Sequence, residues 1–240
     1  MPLLAVALVA AVASPAAAGP QERFHPARDV SIRRIAGSVF LHTSRDGELS
    51  TNGLIVGARE GTLLVNTAPT AAQTEALLRW VTETQPRPVR LAILTAPDAA
   101  RMGGLQALVE ARIPIHASWR TERRARERQL GWTPDHFGFE SEAHISAGDH
   151  TLHLFQPEEL PPDILAVWVP EEGVLYAGEL ILPADPRGVP LERGLARARA
   201  RALSRVRGRF PDPVWVVPAT GEPGDRGLVE RALRDLRRLR

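Results

Sequence analysis

The sequence predicts one layered α/β domain, on three observations. From about residue 30 to the C-terminus, short apolar runs of strand type alternate with amphipathic helical segments. No Pro/Gly/Ser-rich or charge-rich linker divides that alternation, and no internal repeat interrupts it. The 240 residues are 44% hydrophobic and 24% charged, the balance of a single unit large enough to bury a core.

The elements follow in order. Residues 32–35 and 39–43 read as strands of a hairpin, with Asp46-Gly47 as a turn signal beyond them. Residues 54–56 and 63–65 repeat the pattern around Glu60-Gly61. Thr70 followed by Gln73 has the form of a capping box, and Leu77, Leu78, Trp80 and Val81 continue it at helical spacing until Pro86. A buried-type strand at 89–95, a helix at 104–111, a strand at 113–117 and a charged helix from Ser118 to Leu130 come next. The second half predicts strands at 151–155, 165–169 and 174–177, an Arg-rich helix over 191–210, a strand at 214–217 and a last helix over 226–240. In the Arg-rich helix, Leu195, Leu203, Val206 and Phe210 form one apolar stripe and the arginines spread over a solvated face.

Composition removes several function classes. All 30 basic residues are arginine, balanced by 28 acids to a net +2, so nothing draws the whole chain to nucleic acid or an anionic membrane. Cysteine is absent, which removes disulfides, thiolate catalysis and thiolate metal ligands. The apolar run 3–12 followed by Ala16-Ala17-Ala18 reads as a secretory signal peptide over 1–18, too short and Ala-rich for a bilayer span. The expectation is a periplasmic or secreted protein cleaved near Ala18, without a stable membrane anchor. Residues 19–30 are expected to be an unstructured lead-in, and 31–240 the folded domain.

A series of runs in fixed order then carries a resemblance: VFLHTS, STNGLIV, GTLLVNTAPTAAQTEALLRWV, LAILTAPDAARMGGLQAL, IPIHAS, PPDILAVWVPEEGVLYAGELI and VWVVPATGEPG. Together they resemble the metallo-β-lactamases, most closely the subclass with a Cys zinc ligand. The resemblance implies a four-layer αββα sandwich with a metal site at one edge of the two sheets.

It also implies where ligands belong. The family's T-H-x-H-x-D-R-x-G-G run is Thr95-Ala96-Pro97-Asp98-Ala99-Ala100-Arg101-Met102-Gly103-Gly104, placing Ala96, Asp98 and Ala100 at ligand positions. G-H-T-P-D is Glu159-Leu160-Pro161-Pro162-Asp163, so Leu160 takes the third His. The Cys position is Glu179, and P-G-H-G is Pro218-Ala219-Thr220-Gly221, with Thr220 at the last His. Asn66 replaces the supporting Asp of the L-I-D-T segment. Arg101, Gly103 and Gly104 are retained and read as structural.

A catalytic zinc takes about three imidazole, thiolate or carboxylate ligands. Ala96, Ala100 and Leu160 have no donor atom, Thr220 offers a neutral hydroxyl, and only Asp98 and Glu179 remain. The expectation is therefore no metal, zinc absent and no other cofactor. The chain is then a pseudoenzyme, an exported scaffold whose cleft takes a small molecule or another exported protein, with no nucleic-acid partner and no assigned oligomeric state. The alternative is a divergent hydrolase using Asp98 and Glu179, as general bases or ligands of a hard cation, with Glu158 and Glu159 adding charge nearby. No G-x-S-x-G elbow or phosphate loop offers another catalyst. The seven histidines are expected at exposed or core-edge places: His25 in the lead-in, His42 on a strand, His116 outside the ligand set, His136 and His144 in loops. His150 and His153, three apart, would sit on opposite faces of a strand.

Overall fold

The computed structural model describes residues 22–131, 136–158, 164–182, 192–210 and 212–238. Eight strands form the first sheet in chain order. β1 (Arg23–Ala27), β2 (Val30–Ala36), β3 (Val39–Asp46), β4 (Leu49–Val56) and β5 (Thr62–Val65) pair antiparallel. β6 (Val89–Ile93), β7 (Ile115–Ser118) and β8 (His136–Phe139) continue the sheet in parallel. The second sheet contains β9 (Glu142–Ser146), β10 (Thr151–Phe155), β11 (Ala166–Val169), β12 (Val174–Gly178) and β13 (Trp215–Pro218). Its order is β13-β12-β11-β10-β9, with only the β12–β13 pair parallel.

Three apolar layers hold four structural ones together. Leu54, Val56, Leu63 and Val65 pack against Leu152, Leu154, Val167 and Tyr176 between the sheets. Ile55 and Leu64, one residue out of phase, face the helices α1 (Ala71–Thr84), α2 (Ala99–Met102), α3 (Leu105–Glu110) and α4 (Trp119–Glu127). Leu175, Ala177 and Val216 face α5 (Arg193–Arg209) and α6 (Arg226–Arg238) on the far side. Strands covered on both faces explain the near-continuous apolar runs read from the sequence. Each fully buried Leu or Val contributes about 1.5–3 kcal/mol. The architecture is the αββα sandwich.

Several local expectations are corrected. The lead-in is not unstructured throughout: residues 23–27 add β1 to the sheet edge, with a register shift between Phe24 and Ala27. β8 and β9 occupy stretches read as loops, because HFGF and EAHIS lack a continuous apolar run. His136 and His144 therefore lie on strands. The helix expected at 104–111 is present as α3, and a short helix the sequence did not announce, α2, precedes it across Gly103-Gly104. The capping box is half formed. Thr70 accepts from the Gln73 N–H at 3.3 Å, but the Gln73 amide reaches the Arg45 carbonyl. In α5 the buried face is mainly alanine, Ala196 and Ala202 among them, with Leu203 and Val206, and Leu195 is only partly buried. The signal peptide lies outside the described residues. Among those residues, no helix is long and apolar enough to cross a membrane.

Candidate functional site

The site lies where β6 and β12 end. Past β6, Thr95 donates its N–H and its hydroxyl to Asn66 Oδ1 at 3.0 and 2.9 Å, while its carbonyl accepts from Leu165 N at 2.9 Å. Asp98 then caps α2, its Oδ1 accepting from Arg101 N at 3.2 Å. The next turn is pressed against its neighbours. A Cβ on Gly103 would sit 1.8 Å from the Pro69 carbonyl oxygen, and one on Gly104 1.8 Å from Thr74 Oγ1. Only glycines fit this path.

That path delivers Arg101, which is 3% exposed, to the floor of the site. Its Nη2 donates to Asp98 Oδ2 and also to Glu179 Oε1, which arrives from the end of β12 in the other sheet. One guanidinium thus clamps two carboxylates from opposite halves of the sandwich. Burial pushes the Asp98 carboxyl above its ordinary range; Glu179 adds to the rise and Arg101 opposes it. Burial disfavours the charged Arg101, but its neighbours, Asp98 first, outweigh that and hold it protonated.

Behind the clamp stands a buried polar cluster. The Tyr176 hydroxyl, pushed up by burial, donates to the Asn52 carbonyl at 3.3 Å and accepts from Asn66 Nδ2 at 2.9 Å. Asn66 has a φ of 65°, a left-handed conformation that asparagine tolerates better than most side chains. Its amide donates to Tyr176 and its carbonyl accepts from Thr95. Ionised aspartate has no donor to offer the tyrosine. The asparagine is therefore fitted to its surroundings.

Above the clamp opens a cleft of about 620 Å3, bounded by the β3–β4 turn, α2, the end of β12, α5 and the segment after β13. Asp98, Ala100, Glu179 and Thr220, four of the six positions singled out in the sequence, line it together with Arg101. Ala96 does not; it is 2% exposed and packed beneath. Leu160 and Glu159 lie outside the described residues. Arg199 of α5, which sequence reasoning missed, also lines the cleft, and its Nε is buried without a partner. Burial holds Arg199 below its ordinary range, with Glu179 opposing. Its place in an arginine-rich helix gave no signal of this role.

The donor set does not suit zinc. Its two carboxylates are held by a guanidinium, Ala96 and Ala100 offer no atom, and Thr220 supplies a hydroxyl. Among the described residues no group of three or more His, Asp or Glu is placed to hold a metal ion. The histidines lie elsewhere. His42 is fully enclosed rather than at the core edge; its Nε2 donates to the Val65 carbonyl at 3.2 Å, and burial lowers it to about 4. His144 and His153 stack across β9 and β10 with centroids 4.3 Å apart.

His150 belongs to a second polar cluster at the opposite end of the strands. Its Nε2 lies 3.0 Å from Ser38 Oγ and 3.2 Å from Glu172 Oε1, and its Nδ1 3.2 Å from Asp149 Oδ1. Ser38 donates both its N–H and its hydroxyl to Glu172 Oε1, at 2.9 and 3.0 Å. The serine proton is thus committed to a carboxylate, which argues against a nucleophile despite the triad-like spacing. Burial works against the charged His150, but Glu172 and Asp149 outweigh it and raise its pKa. Glu172 also resists burial, and its bonds from Ser38 and His150 hold it below its ordinary range. No sequence signal marked this cluster.

No protein-family model matches the chain. Curated relatives do. It is 26% identical to a type 2 metallo-β-lactamase of Bacteroides fragilis over 90% of this chain and 89% of that one, and 26% identical to that of Bacillus cereus over 85% and 81%. Among solved structures, a metallo-β-lactamase from Pontibacter korlensis superposes with a TM-score of 0.78 at 26% identity, covering 87% of this chain and 99% of the other. A mono-zinc metallo-β-lactamase of Pseudomonas aeruginosa gives 0.74 at 29% identity, covering 88% and 96%. Sequence relatives and fold neighbours agree, and the chain belongs to the metallo-β-lactamase superfamily.

Proposed function

We propose that this chain is an exported member of the superfamily that has left zinc-dependent hydrolysis and keeps its cleft for binding. In this reading it descends from the Cys-ligand subclass, and Ala96, Asp98, Ala100, Leu160, Glu179 and Thr220 stand where six zinc ligands stood. The observation that carries it is the clamp: Arg101 Nη2 bonds to both Asp98 and Glu179. A fixed guanidinium neutralises and cross-links these carboxylates, as a metal ion would. Unlike a metal, it has no open coordination position and cannot lower the pKa of a bound water. The same bonds weigh against the carboxylate-hydrolase alternative, since a general base must be free to reach a substrate proton.

The test is elemental analysis of the purified mature protein beside a β-lactam hydrolysis assay. The expected outcome is no stoichiometric zinc and no turnover, with or without added metal. Stoichiometric zinc, or hydrolysis abolished by Asp98→Ala or Glu179→Ala, overturns the reading.

A further inference from the structure

A hollow that shares no lining residue with the cleft is formed over β1, β2 and β3. Its volume is about 280 Å3, and part of its lining is Leu41 of the inter-sheet core. Arg23 of β1 stands directly opposite Arg33 of β2 in the antiparallel register, and Arg28 and Arg45 complete the rim. Like charges facing each other across strands destabilise a sheet. The compensation is partial: Arg33 Nη2 reaches Glu222 at 2.6 Å, whereas among the described residues Arg23, Arg28 and Arg45 form no ion pair.

Four arginines against Asp29 and Glu222 concentrate in one hollow a net charge equal to the +2 of the whole chain. Such a concavity focuses positive potential. Planar guanidinium forks are suited to the oxygens of a tetrahedral anion. Their backbone is fixed as well, since Arg45 N donates to the Asp29 carbonyl at 2.9 Å and the Arg45 carbonyl accepts from Gln73.

We propose that this hollow is a binding site for the phosphate or sulfate group of a small ligand, held by Arg23, Arg33 and Arg45. The proposal is independent of what the cleft does.

The probe is inorganic phosphate, with sulfate as a second arm, titrated into the full chain at constant ionic strength by chloride replacement. Calorimetry and the thermal midpoint are the readouts. Saturable binding with a rise in midpoint is expected for at least one of the two anions, and the one that binds more tightly identifies the ligand group. Arg23→Gln with Arg45→Gln, both exposed side chains, should weaken it by roughly tenfold for each guanidinium removed. Glu222→Gln, which removes a negative charge from the lining of the hollow, should strengthen it several-fold. A response no different from chloride, a double variant that binds as well as wild type, or no gain in Glu222→Gln would each overturn the proposal.

Discussion

The two ends of the sandwich are stapled in the same manner and with opposite chemistry. At the cleft end a buried arginine lies between Asp98 and Glu179; at the far end a histidine lies between Asp149 and Glu172. Both staples cross the inter-sheet core. Glu179 belongs to the second sheet and Asp98 to the first, while Glu172 holds Ser38 and Asp149 holds the Arg59 N–H at 2.7 Å. The cations differ in one decisive respect. Arg101 carries its charge at every pH a protein survives, whereas His150 gives its proton up. One end is permanently closed, and the other is closed conditionally.

The comparison breaks first at Arg101. Arg101→Met leaves two carboxylates facing each other and should cost about 2–3 kcal/mol, less than a fully buried pair because both acids keep some solvent contact. That corresponds to a loss of roughly 5–10 °C in the thermal midpoint for a domain of this size. Urea unfolding measures it, and a change below about 0.5 kcal/mol, the level of an ordinary surface substitution, would mean that the clamp joins nothing.

Next comes the residue behind the clamp. Asn66→Asp should cost about 2 kcal/mol, because it buries a charge and takes the hydrogen-bond donor away from Tyr176. A neutral or stabilising result in the same measurement would mean that the asparagine is not matched to its neighbours.

The smallest effect is the most diagnostic. His150 has a raised pKa, so its contribution is complete below its unfolded value of 6.5 and is lost as pH rises through the folded one. Glu172 has a lowered pKa, so its contribution is complete above 4.5 and is lost as pH falls through the folded value. The far staple is therefore strongest between pH 4.5 and 6.5. Glu172→Gln should cost about 1 kcal/mol near pH ~5.5 and less near pH ~9. The Arg101→Met deficit should run the other way, larger near pH ~9 than near pH ~5.5, because Asp98, already raised by burial, takes up a proton more readily once Arg101 no longer opposes the rise. Equal pH profiles for the two variants would erase the distinction.

Much of this was legible in the sequence because it is local or periodic. The continuous apolar runs of β4, β5 and β6 announce strands covered on both sides, and the Thr95-to-Gly104 frame places Asp98 and Arg101 one helical turn apart. What was not legible depends on distant segments meeting. Glu179 lies 78 residues from Arg101, and nothing in Gly178-Glu179-Leu180 says which cation it finds. His150 reads as one of a pair of strand histidines until the structure sets it just before β10 with Ser38, 112 residues away, packed against it. β1 and β9 escaped notice because edge strands with one solvated face carry charge and proline in place of an apolar run.

The glycine pair at 103–104 has a consequence for how this chain can change. Its turn is shaped by contacts with Pro69 and Thr74 beneath it, not by anything bound above. Chemistry at Ala96, Asp98 and Ala100 can therefore be rewritten in either direction by exchanging side chains, with the main chain left as it is. A designer restoring imidazoles at these positions would start from a mould already cast, with Arg101 kept in the place where the resembling run also carries arginine.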